Sequence, residues 1–293
     1  MSTQDTSPAN KSNFDTILVL DFGSQYTQLI ARRVREMNVY SEILPWDISS
    51  ERIQALNPKG VILSGGPESV TNSSTPRVPK IIFELGIPIL GICYGMQTLA
   101  EQFGGQVASS KIKEFGHAQI AIENASSLFD GFDIGSNIDV WMSHGDHVSS
   151  LPDAFNLIAS TESAPIAAME HAEKKIYALQ FHPEVTHTKE GDIILENFVI
   201  KICNATPGWK MDGLLAQKID KIKKQVGDQK VLLGLSGGVD SSVTAMLLDQ
   251  AIGQNLICMF VDNGLLRKNE AEDVESLFRE KLDLNLIVVD AKK

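Results

Sequence analysis

The sequence predicts an α/β fold of parallel βαβ units, on three observations. Short apolar runs at residues 16–20, 60–63, 87–92 and 176–181 show no polar alternation, as strands buried on both faces require. Segments with helical periodicity separate the early runs, so strand and helix alternate. The runs also end in turns rich in glycine and polar residues, and open α/β sheets bind ligands there, beyond the carboxyl ends of the strands.

In chain order, residues 1–14 are polar, rich in Ser, Thr and Asn, and lack the apolar core of a signal peptide, which predicts a disordered tail. The strand at 16–20 stops at Asp21, Phe22, Gly23 and Ser24. Residues 26–37 follow as a helix, with Leu29, Ile30 and Val34 on one side and Arg32, Arg33 and Arg35 on the other. Residues 39–44 predict a second strand, 49–56 a short helix and 60–63 a third strand. That third strand enters Ser64, Gly65, Gly66, Pro67, Glu68 and Ser69, a turn whose glycines leave backbone N–H groups exposed. It is a candidate oxyanion hole, where one fixed donor is worth roughly 3 kcal/mol in the transition state. An ordinary Gly-Pro turn is the competing reading.

The run at 87–92 ends in Cys93, framed by Gly91 and Gly95, and a helix follows to about Phe103. Strand, sharp turn and helix start make the geometry of a nucleophile elbow with sulfur in place of oxygen. The tight turn brings neighbouring backbones together, which leaves no room for a side chain at either glycine. The N-terminal partial charge of the helix favours a thiolate. A small buried cysteine is the bland alternative, so the reading depends on partners. The run at 176–181 supplies them, ending in His182, Pro183 and Glu184. His182 can take the proton from Cys93 and return it to a leaving amine, a contribution of roughly 10²–10⁴-fold. Glu184 can fix the tautomer of the ring and stabilise the imidazolium. A lone His-Pro-Glu is usually a surface turn; with the cysteine elbow and the Gly-Gly turn at strand ends of one α/β unit it reads as a triad.

Gly104 and Gly105 change the texture, and antiparallel strands are expected at 119–123, 137–142, 155–161, 166–170 and 176–179. Between them lie Ser143, His144, Gly145, Asp146 and His147. Two histidines and an aspartate without a third ligand at a familiar spacing read as a loop lining the pocket rather than a metal site. A helix at 192–203 closes this unit and 204–208 reads as a linker, which places one domain at 15–205 and a second at 206–293. In the second, a lysine-rich helix at 211–226 leads to a strand at 231–235. That strand enters Ser236, Gly237, Gly238, Val239, Asp240, Ser241 and Ser242, with another helix directly after. Glycines for close approach, hydroxyl donors and a helix N-terminus make a phosphate cradle. The turn lacks the lysine of a Walker A loop, and a plain Ser/Gly helix cap is the simpler reading. Residues 256–261 predict the next strand, with Asp262, Asn263 and Gly264 at its carboxyl end, and 286–289 another.

The set GICYGMQ, SGGPES and FHPEVTHT resembles the class I (triad) glutamine amidotransferases over roughly residues 15–204. The resemblance implies a mixed sheet flanked by helices. It implies that Cys93 attacks the side-chain amide of glutamine, that ammonia leaves with a proton from His182, and that water hydrolyses the thioester to glutamate. It further implies an oxyanion hole from the backbone N–H groups of Gly66 and Tyr94, and glutamine contacts from Gln97, Ser143, His144, Gly145 and Asp146. SGGVDSS resembles the PP-loop of ATP pyrophosphatases, with an adenine-nucleotide α-hydrolase-like parallel domain. That implies ATP contacts from Ser236 to Ser242 and from Val261, with Asp240 as a partner for Mg²⁺. The two domains in this order, with VDNGLLR, resemble the GMP synthetase family. This implies ATP-driven amination of XMP by ammonia from the cysteine site, no prosthetic group, and a homodimer for the full-length family member. Because the sequence stops at Lys293, we expect a truncated chain with an incomplete ATP domain and little of the XMP site, unable to make GMP by itself.

With 293 residues and 43% hydrophobic content the chain has ample material for two cores. Its formal charge of −11 argues against non-specific nucleic-acid binding, though it leaves room for a local basic pocket for a phosphorylated small molecule. Three widely spaced cysteines suit a reducing compartment, and the cytoplasm is expected. The competing functional class is a catalytically silent module that senses glutamine or nucleotide. His187, shortly after Glu184, is a candidate for coupling the two domains, or a solvent-exposed loop histidine.

Overall fold

The structure, a computed structural model, describes residues 14–72 and 74–292; the tail expected at 1–14 lies, but for Phe14, outside the described residues. The chain divides into two compact units that meet at Trp209 and Lys210, slightly beyond the expected boundary at 205. Residues 206–209 stay with the first unit because the N–H groups of Gly208 and Trp209 donate to the Asn38 carbonyl and the Trp209 ring packs on Tyr40.

The first unit opens with β1 (Thr16–Asp21), α1 (Thr27–Glu36), β2 (Tyr40–Pro45), α2 (Ser50–Leu56) and β3 (Gly60–Leu63). It continues through α3 (Lys80–Glu84), β4 (Ile89–Ile92) and α4 (Tyr94–Gln102). Then come β5 (Gln106–Ile122), β6 (Asn137–Ser150), β7 (Asn156–Ser160), β8 (Ala168–His171) and β9 (Ile176–Leu179), and α5 (Gly191–Glu196), which runs on as a π-helical turn over Asn197–Ile202. One sheet holds all nine strands in the order β2-β1-β3-β4-β9-β8-β7-β5-β6. The pairs from β2 to β9 are parallel, and those from β9 to β6 antiparallel. The expected mixed sheet is therefore present. Inside the edge strand β2, the strands of its parallel part (β1, β3, β4 and β9) are buried on both faces. Ile17, Val19 and Ile62 pack with Ile30 and Val34 of α1 and Phe198 of the π turn, while Leu18, Leu20 and Leu63 pack with Ile53 of α2, Ile82 of α3 and Leu99 of α4.

One expectation fails here. Residues 143–147 are not a loop but the continuation of β6, and β5 runs back to Gln106. The buried face of β6 carries Ile138, Val140, Met142, His144, Asp146 and Val148 in strict alternation. Polar residues at two of those core positions hid the period of two that marks a strand.

The second unit contains α6 (Met211–Val226), β10 (Val231–Leu235), α7 (Val239–Ile252), β11 (Leu256–Asp262), α8 (Glu270–Glu275) and β12 (Leu286–Asp290). Its three strands are parallel in the order β10-β11-β12 around a small core of Leu235, Ala245, Leu256, Cys258, Phe260 and Phe278. This is the partial parallel α/β sheet the sequence predicts.

Candidate active site

β4 and β9 are neighbours, in register from Ile89 opposite Ile176 to Ile92 opposite Leu179, although β5 to β8 separate them in sequence. Their carboxyl ends therefore deliver Cys93 and His182 to one place. Cys93 is an elbow in fact: its φ of 53° and ψ of −104° put a non-glycine residue in a strained conformation, and its N–H donates to the Leu179 carbonyl at 2.7 Å. The flanking glycines are required for close approach. A Cβ on Gly91 would meet the Gly95 carbonyl at 2.7 Å, and one on Gly95 would meet the Leu63 oxygen at 2.5 Å.

Cys93 is 6% exposed, His182 3% and Glu184 fully buried. His182 Nδ1 lies 2.7 Å from Glu184 Oε1, and hydrogen bonds fix the backbone of residue 182. The His182 N–H donates to the Trp141 carbonyl at 3.0 Å, the Thr188 hydroxyl donates to the His182 carbonyl at 2.6 Å, and the Trp141 N–H donates to that same hydroxyl. The Arg33 Nε donates to the Glu184 carbonyl at 3.1 Å. Burial disfavours the imidazolium. The charge of Glu184 and hydrogen bonds with Cys93 and Glu184 outweigh that cost and hold His182 well above its usual value. The thiol also reaches the Ser143 carbonyl at 3.5 Å.

Cys93 and His182 line a cleft of about 570 Å³ together with Gly66, Gln97, Ser143, His144, Gly145 and Asp146. The N–H groups of Gly66 and Tyr94 have no intramolecular acceptor among the described residues, so both remain available to an anion. Gln97 Nε2 donates to the Asp146 carbonyl at 2.7 Å, which ties α4 to β6, and Ser109 donates to Asp146 Oδ1 at 2.6 Å. His144 Nε2 lies 3.2 Å from Glu114 Oε2 without hydrogen-bond alignment. Burial pushes its ring below the usual histidine value against that attraction. His187 does not line the cleft; its ring stacks on Trp141, with centroids 4.3 Å apart. Such a set can perform nucleophilic acyl transfer: a thiol, a base held by a carboxylate, and unspent backbone donors. Sequence reasoning missed Ser24, Tyr26, Ser109 and Phe115 on the cleft wall. Ser24 reads as part of the break after the first strand and Tyr26 as a helix start, while Ser109 and Phe115 lie outside the strands the sequence predicts.

In the second unit, Ser236, Gly237 and Gly238 form the turn between β10 and α7, with Gly237 at a φ of 74° that favours glycine, and Val239–Ser242 make the first turn of α7. The loop stitches itself together. The Gly238 carbonyl accepts from Ser241 Oγ at 3.0 Å and from Ser242 Oγ at 2.8 Å, and the Ser236 and Ser241 hydroxyls lie 3.2 Å apart. Residues 236–240 are exposed, Asp240 sits in the first turn of α7, and Val261 is half exposed on β11.

Residues 18–202 match the family of class-I glutamine amidotransferases. The chain belongs to that family. Residues 214–293 match the NAD synthase family, whose ATP-using PP-loop domain agrees with the SGGVDSS turn. A GMP synthase (glutamine-hydrolyzing) of Hamiltonella defensa is 56% identical over 281 residues, covering 94% of this chain and 54% of that protein. The Vibrio cholerae enzyme of the same name is 55% identical, covering 94% and 53%. The chain thus spans about half the length of the curated relatives it matches. The crystal structure of a Thermoplasma acidophilum protein described as one subunit of GMP synthase superposes with a TM-score of 0.59 at 36% identity, over 65% of this chain and 94% of that one. No helix among the described residues is long and apolar enough to cross a membrane.

Proposed function

We propose that this chain hydrolyses glutamine to glutamate and ammonia at Cys93, and that it belongs to a protein that uses the ammonia and ATP to convert XMP to GMP. The observation that carries the first part is the buried His182–Glu184 pair, 2.7 Å apart, on the cleft that His182 shares with the elbow cysteine. Cys93 Sγ attacks the amide carbon, and the oxyanion meets the N–H groups of Gly66 and Tyr94. His182 gives its proton to the leaving ammonia, then takes one from the water that cleaves the thioester. Glu184 keeps Nδ1 protonated throughout. Gln97, Ser143, His144, Gly145 and Asp146 hold the remainder of the glutamine; Gln97 also braces the wall, since its amide nitrogen is engaged by Asp146.

The second part rests on the two GMP synthase relatives and on the PP-loop, whose free helix N-terminus suits a polyphosphate. ATP contacts are assigned to Ser236, Gly237, Gly238, Val239, Asp240, Ser241, Ser242 and Val261. Magnesium fits this turn: Mg²⁺ on a nucleotide needs only one or two carboxylates besides phosphates and water, and Asp240 offers one. When bound it would neutralise phosphate charge. Cytoplasmic residence, and homodimerisation of the full-length family member, belong to the same proposal.

Incubating the chain with isotopically labelled glutamine tests the reading. Release of labelled ammonia that disappears in Cys93→Ala, with folding retained by circular dichroism, is the expected result. Binding without turnover would make the chain a sensor, and an unaffected rate in Cys93→Ala would overturn the assignment.

A further inference from the structure

The turn after β1 carries a stitching that the triad does not account for. Asp21 Oδ1 accepts from the Gly23 N–H at 2.9 Å and from the Thr27 hydroxyl at 2.8 Å, and Ser24 Oγ accepts from the Tyr26 N–H at 3.0 Å. These bonds fix the residue at the start of α1, and that residue is Tyr26. Its ring meets the His182 imidazole edge to face, with centroids 5.1 Å apart at 69°, within the range at which aromatic pairs attract. Beside it, a Cβ on Gly65 would lie 3.3 Å from both His182 Cε1 and Ser24 Oγ, so Gly65 leaves just the room the imidazole occupies. Tyr26 also lines the cleft, and its hydroxyl has no partner among the described residues. Glu184 holds the imidazole at one nitrogen only, which leaves the ring free to swing about that contact unless something packs against it.

We infer that Tyr26 is a positioning residue for the catalytic imidazole: its aromatic ring packs against His182 and holds Nε2 towards Cys93, while its hydroxyl is dispensable to that role. The inference rests on the glutaminase reading for its consequence, but not for the contact itself. A misdirected base costs turnover more than substrate binding, and a displacement of about 1 Å is enough for a loss of order 10²-fold.

The test compares Tyr26→Phe and Tyr26→Leu with wild type in two assays. In glutamine hydrolysis, Tyr26→Phe is expected to keep kcat within about twofold. Tyr26→Leu should lose kcat by about 10- to 100-fold with little change in KM, at an unchanged melting temperature. In the second assay, iodoacetamide alkylation of Cys93 is followed by peptide mass, which needs no glutamine turnover. The rate should fall in Tyr26→Leu and stay at the wild-type value in Tyr26→Phe, because a misplaced imidazole no longer draws the thiol proton. A Tyr26→Leu protein that alkylates and turns over like wild type would overturn the inference, as would Tyr26→Phe failing as badly as Tyr26→Leu. A wild-type chain that alkylates normally but releases no ammonia would instead sink the glutaminase reading, and the alkylation comparison would still decide the role of Tyr26.

Discussion

Two turns at the carboxyl ends of parallel strands, the Cys93 elbow and the Ser236–Ser242 loop, are built on opposite principles. The elbow is buried and held from outside. Its strained backbone is pinned by Leu179 of β9, by Leu63 behind Gly95 and by a carbonyl of β6 near the thiol, all distant in sequence. The loop is exposed and held from inside, its serine hydroxyls bonding its own backbone within five residues. A nucleophile needs one fixed position relative to its base, which packing against other strands supplies. A phosphate cradle needs donors on a helix N-terminus, which a short stretch of chain can organise by itself. Changes around the elbow should therefore act through geometry and be severe, while single changes in the loop should be mild.

The largest effect is expected at Glu184, whose loss leaves the base without its orienter. Glu184→Gln should lower kcat for glutamine hydrolysis by about 10²–10⁴-fold with a smaller change in KM, read by steady-state kinetics. The same pair sets a pH dependence of stability. His182 has a folded pKa raised above its unfolded value of about 6.5. The stabilisation it gives is complete below that value and lost as pH rises through the higher folded one. The stability advantage of wild type over His182→Asn, measured by denaturant unfolding, should thus be greatest in mild acid and shrink in alkali; an advantage that grew with pH would contradict the geometry.

An intermediate effect is expected at Gly95. Gly95→Ala must move backbone, since the new methyl would meet the Leu63 oxygen at 2.5 Å. Overpacking of this kind costs about 1–3 kcal/mol, which urea unfolding would register together with reduced glutaminase activity. The smallest is expected in the loop. Ser241→Ala removes one hydroxyl among several and should weaken ATP binding about fivefold, the equivalent of one hydrogen bond near 1 kcal/mol, by calorimetric titration. A loss as large as that of Glu184→Gln would erase the contrast between the two turns.

Much of this architecture is legible along the chain. The grouping of Cys93, His182 and Glu184 was readable because each stands at or just past the end of an apolar strand in a short motif: Gly91-Ile92-Cys93-Tyr94-Gly95 and His182-Pro183-Glu184. The PP-loop was readable for the same reason. The segment at 143–147 was not, because His144 and Asp146 occupy buried positions where a strand normally shows apolar residues. Tyr26 was invisible because its meaning lies in a contact with His182, far away in sequence, and a tyrosine at a helix start carries no local signal.

By itself, then, the sequence determined the α/β class and which residue types stand at the strand ends, since local periodicity and short-range turn chemistry are written residue by residue. Tertiary structure alone decided that β9 returns beside β4 after four intervening strands, that β6 extends past its apolar part to wall the cleft, and that Tyr26 lies against His182. Those outcomes depend on which strands share hydrogen bonds and which side chains fill the space between them. They are non-local contacts that no window of sequence contains.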